Sequence, residues 1–127
     1  MREILFRGKH IHLFPQNEHL NGIWVYGYLC DRNYINSPGL NGELLVDPST
    51  IGQYTGLVDK NGRRIFEGDI VKSIETKETG VVQFFPEHSA FMVWCKSSNE
   101  VGFLYECTSI AEVIGNIHDN PELLEEA

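Results

Sequence analysis

The chain has 127 residues, 42% of them apolar and 11% aromatic, enough to bury a core without metals or disulfides as staples. A formal net charge of −8 argues against a surface built to hold phosphate backbones, which need concentrated Lys and Arg. The three cysteines, Cys30, Cys95 and Cys107, contain no C-x-x-C pair and sit beside apolar residues, so reduced thiols in a cytoplasmic protein are expected. The first residues lack the apolar run of a secretion signal, and no stretch approaches the roughly 20 apolar residues of a membrane span.

Short β-branched and aromatic runs separated by turn residues predict a mainly β fold. Residues 2–7 are the first expected strand and 23–29 the second. In the second, Ile23, Val25 and Leu29 point one way and Trp24, Tyr26 and Tyr28 the other, so both faces are expected to be covered. Gly27 marks a bulge or a close crossing. Residues 31–42 read as a loop, 43–46 as a short strand and 47–50 as a turn. Asn61-Gly62 favours a tight hairpin turn, since both residues tolerate positive φ. Expected strands then cover 70–74, 80–85, 90–95, 101–107 and 110–117, with Pro86–Ser89 closing a hairpin. Asn120 and Pro121 open a short C-terminal helix that Leu123 and Leu124 dock on the sheet. The spacing over about 68–117 predicts an SH3-like small barrel. An N-terminal β lobe (1–52) and a barrel-like part with the helix (53–127) together make one domain.

Three segments, in this order and at this spacing, resemble the YopX family of phage and prophage proteins. They are Ile4-Leu5-Phe6-Arg7-Gly8-Lys9 with Gly22-Ile23-Trp24-Val25-Tyr26-Gly27; Gln53-Tyr54-Thr55-Gly56-Leu57 through Asp59-Lys60-Asn61-Gly62 to Phe66-Glu67-Gly68-Asp69-Ile70-Val71; and Val113-Ile114-Gly115-Asn116-Ile117-His118-Asp119-Asn120-Pro121-Glu122-Leu123. The likeness spans nearly the whole chain and departs at residues 10–21, which look longer than the family's connection. It implies a mainly β protein encoded by a phage or an integrated element, and no catalytic residues.

Each residue constellation has a plainer alternative. Asp69 with Glu67 or Asp59 has the makings of a general base pair, but Gly68-Asp69 also suits a turn whose carboxylate accepts backbone N–H groups. His10 and His12, with Glu18 or His19, have partial metal spacing without a fourth ligand, so no metal is expected. Cys95 and Cys107 with His88 or His118 read better as small core residues than as nucleophiles. The glycines of Gly52-Gln53-Tyr54-Thr55-Gly56 lack the Lys-Ser/Thr of a phosphate loop. Among Trp24, Tyr26, Tyr28, Tyr54, Phe85, Trp94 and Tyr105, only Tyr54 is expected at the surface as a base-stacking residue. The expectation is a non-enzymatic module without a cofactor that binds a protein partner, with self-association through a strand edge. A nucleic-acid-binding module using Tyr54, Arg63, Arg64 and Lys72 is the alternative.

Overall fold

The computed structural model describes residues 4–11, 22–37 and 43–125. It is mainly β: among the described residues eleven strands form two antiparallel sheets, ordered β4-β3-β2-β1-β5-β6 and β10-β9-β8-β7-β11. The backbone clusters into two compact units, Met1–Tyr54 and Thr55–Ala127.

In the N-terminal unit β1 (Phe6–Lys9) pairs with β2 (Trp24–Cys30), β2 with β3 (Tyr34–Asn36), and β3 with β4 (Glu43–Leu45). Side chains alternate across a strand, so one face of this sheet gathers Val25 and Ile35 with Phe6 and Leu44 around Val46. Tyr34–Asn36 falls inside the expected loop. Asp31 takes a left-handed conformation (φ 59) and its carboxylate accepts the Arg32 N–H, which turns the chain back so that Ile35 reaches the core. Of the expected first strand, residues 2 and 3 lie outside the described residues, and the described strand begins at Phe6. The loop after Val46 is a 3₁₀ turn over Pro48–Thr50, capped by the Asp47 carboxylate on the Ser49 N–H. At Gly27 an added Cβ would collide with the backbone carbonyl of Asn36, which is the expected close crossing.

β5 (Gly52–Val58) runs from one unit into the other; Gly52 pairs with Arg7 of β1, and Thr55 Oγ donates to the Ile65 carbonyl of β6 (Arg64–Phe66). β7 (Asp69–Ser73), β8 (Thr79–Phe85), β9 (Ala90–Cys95), β10 (Glu100–Phe103) and β11 (Ala111–Asn116) make the second sheet. One face of it carries Val71, Val82, Val93, Ala111 and Val113, and Ile65 and Leu57 of the β5–β6 hairpin pack on them. The expected barrel is therefore only approached: a hairpin covers the sheet, but the strands remain two open sheets. The expected strand 101–107 is also corrected. It ends at Phe103, and Leu104–Cys107 forms a single helical turn, α1, in which Leu104 is fully buried. The tail forms α2 (Glu122–Glu125), which lies against β8. Asn120 does not cap it through its side chain as expected; its carboxamide oxygen instead accepts the Asn116 N–H at 3.2 Å.

Candidate interaction surface

The hairpin at 59–63 is organised by one carboxylate. Asp59 Oδ1 accepts the N–H groups of Asn61 and Arg63, both at 2.9 Å, and Oδ2 accepts the N–H of Val113 at 2.9 Å. Burial pushes the Asp59 carboxyl up; the N–H donors of Val113, Arg63 and Asn61 and the charge of Arg63 outweigh it and hold the group below its ordinary value. The expected tight hairpin turn is present. Asp59 pairs with Arg63, the Gly62 N–H returns to the Asp59 carbonyl, and Gly62 alone in the turn has positive φ (82). This is a three-residue loop closed by a glycine bulge. Together with the Lys60 N–H to the Ala111 carbonyl, it covers the outer edge of β11.

Asp69 is also used structurally. It is 2% exposed and its Oδ2 accepts the Phe66 N–H at 2.7 Å, across a turn that Gly68 (φ 93) makes possible. Asp59 and Asp69 thus both hold backbone turns. His10 is buried, with Nδ1 at 2.6 Å from the Leu45 carbonyl; a carbonyl only accepts, so Nδ1 carries the proton. His12, Glu18 and His19 lie outside the described residues, among which no group of three His, Cys, Asp or Glu is placed to hold a metal. Cys30, Cys95 and Cys107 are free and half-buried. Burial, then the carboxylates of Glu78 and Glu100, push the Cys95 thiol up; burial, then Cys95 and Glu106, do the same to Cys107. His88 lies edge-on to Phe103 at 5.8 Å, and His118 follows the Asn116 turn, its N–H donating to Asn116 Oδ1.

Of the four residues expected to bind, Arg63, Arg64 and Lys72 are exposed. Tyr54 is not at the surface; it is 8% exposed, and its N–H donates to the Leu5 carbonyl. Arg63 and Arg64 stand on the hairpin, whereas Lys72 projects from β7 opposite Glu112 of β11.

The surface aromatics lie elsewhere. On the face of the N-terminal sheet opposite Val25 and Ile35, Tyr26, Tyr28 and Tyr34 are 42%, 62% and 38% exposed. Tyr28 stands opposite Asn36 and Cys30 opposite Tyr34, so Tyr28 and Tyr34 are diagonal neighbours. At one end of this row Trp24 receives two cations: the Arg7 guanidinium carbon lies 4.7 Å from a ring centroid and Lys9 Nζ 5.6 Å. The expectation that both faces of β2 are covered fails at Tyr26 and Tyr28. Tyr34 was hidden by its placement in a glycine- and asparagine-rich stretch; the alternation Tyr34-Ile35-Asn36 was the available signal.

A family model described as "YopX protein" matches residues 12–125. The chain belongs to the YopX family. That match covers the hairpin, the Gly68-Asp69 turn and the Asn116 turn, so these features sit within the family domain. No curated protein matches the chain. Among the described residues of this YopX protein, no helix is long and apolar enough to cross a membrane.

Proposed function

We propose that this YopX protein is a non-enzymatic interaction module of a phage or mobile element that acts in the cytoplasm by binding a protein partner. The observation that carries the reading is the row of Tyr26, Tyr28 and Tyr34, exposed side by side on one sheet face. Tyrosine brings a large, stiff apolar ring and a hydroxyl to a contact, and Tyr, Trp and Arg are enriched in protein interfaces. A net charge of −8 favours protein over phosphate. Arg7, the cation nearest the row, is 5% exposed and lies against Trp24, so its charge is not offered outward. The carboxylates that would serve catalysis, Asp59 and Asp69, accept backbone N–H groups.

A nucleic-acid module is the second reading, favoured by the exposure of Arg63, Arg64 and Lys72. Titration with single-stranded DNA and RNA over a range of salt concentrations separates the two. Weak, non-specific binding at physiological salt is expected. Tight binding that weakens when Arg63, Arg64 and Lys72 are replaced by Ala would make the second reading the better one.

A further inference from the structure

The core face of the second sheet is hollow at one end. A cavity of about 200 Å³, open to solvent, is walled there by Val71, Val93, Ile110 and Ala111. Its origin lies in the strand register. Val71 stands opposite Gly80 and Val93 opposite Gly102, so each pair supplies one side chain where two would otherwise meet. The space opens from the side of Gly102. A Cβ at Gly80 would collide with Val93, whereas a Cβ at Gly102 would meet no atom within 4 Å. Glu78 and Glu100 also line the cavity, and among the described residues no Lys, Arg or His does. Gly102 and Glu100 belong to β10, the edge strand of the sheet, whose outer backbone groups face away from β9.

We propose that this cavity receives the side chain of an arginine or lysine from an extended protein segment that adds as a strand to β10. The cavity and the edge strand supply complementary parts of such a site. Pairing with the backbone of β10 gives affinity without sequence preference, and a pocket beside the edge reads one side chain. A basic side chain has an aliphatic stem for the valine walls and a charged head for Glu78 and Glu100. An acidic side chain would meet two like charges, and a neutral one would gain no attraction from them. The thiols of Cys95 and Cys107 are wall atoms, held protonated by their surroundings, and form no bond with the occupant. The inference rests on the reading of the chain as a protein-binding module, but it uses a surface other than the tyrosine row.

The test titrates the full ¹⁵N-labelled chain with three capped peptides of alternating threonine and valine, differing only in a central Arg, norleucine or Glu. The Arg peptide should shift the amide signals of Glu100–Phe103 and Gly80. It should bind about tenfold or more tightly than the Glu peptide. The double change Glu78→Gln with Glu100→Gln should erase that preference. Gly102→Leu fills the cavity from its open side and should abolish binding while the remaining amide spectrum stays dispersed; if that variant unfolds, the glutamine pair decides. No binding of the Arg peptide, equal affinity for all three, or undiminished binding to a folded Gly102→Leu variant would overturn the proposal. Replacing Tyr26, Tyr28 and Tyr34 by Ser should leave the titration unchanged, so a failure here and a failure of the tyrosine-face reading are told apart.

Discussion

Asp59 shows how much one side chain can fix in a small β protein. Its two oxygens satisfy three backbone N–H groups, one of them on β11, 54 residues away. Replacing Asp59 with Ala leaves the Val113 N–H without that acceptor and should cost about 2–4 kcal/mol in urea unfolding. The pH dependence has a definite sign. The folded carboxyl titrates below its ordinary value, so its stabilisation is fully present above the unfolded value of about 3.9 and is lost as pH falls through the folded one. The stability gap between the natural chain and Asp59→Asn should therefore be constant from pH 7 to about 5 and narrow below about 4. A gap that widened on acidification would refute the assignment. Gly62 tests the neighbouring turn: its φ of 82 is left-handed and its Cβ site is open, so Gly62→Val isolates backbone strain and should cost about 1–3 kcal/mol. An unchanged melting temperature would mean that the glycine bulge is absent.

At the scale of elements, Gly27 is the sharpest case. A Cβ there would collide with the carbonyl of Asn36, so Gly27→Ala must push β3 away from β2. The expected cost is about 1–3 kcal/mol. Hydrogen exchange should show early loss of protection at Leu29 and Ile35, with β7–β9 unaffected; uniform loss across both sheets would contradict the close-crossing account. The sequence announced this crossing, since a glycine inside an otherwise bulky strand has few other uses. It announced β7, β8 and β9 too, because each contains a run of β-branched or aromatic residues and Gly68 and Pro86 mark turns between strands. It hid β3, where three residues of strand lie between Asp31-Arg32-Asn33 and Ser37-Pro38-Gly39 and only Ile35 is buried. It also hid the end of β10, because Leu104, Tyr105 and Cys107 suit a strand by type.

For the whole molecule, the mainly β character was legible from turn spacing, whereas closure into a barrel was not. Closure depends on which strands meet across the core, and that is set by long-range pairing that local periodicity does not encode. The same limit explains the candidate site. Alternation along β2 placed Trp24, Tyr26 and Tyr28 on one face, but whether that face is covered depends on elements distant in sequence, and Tyr54 was expected outside for the same reason. Self-association belongs to this scale as well. β10 ends its sheet, and light scattering of the purified chain should show a homo-oligomer. A strict monomer at all concentrations would remove strand-edge pairing with a second copy from the account.

The most direct test of the central claim compares partner capture by the natural chain and by a variant with Tyr26, Tyr28 and Tyr34 changed to Ser. Cells that express the chain would be the source, and the captured protein would be purified and titrated back by calorimetry. The account predicts a protein that binds the natural chain in the absence of nucleic acid and loses about tenfold or more in affinity to a folded triple variant. Equal binding by both chains, or capture that nuclease treatment abolishes, would contradict it.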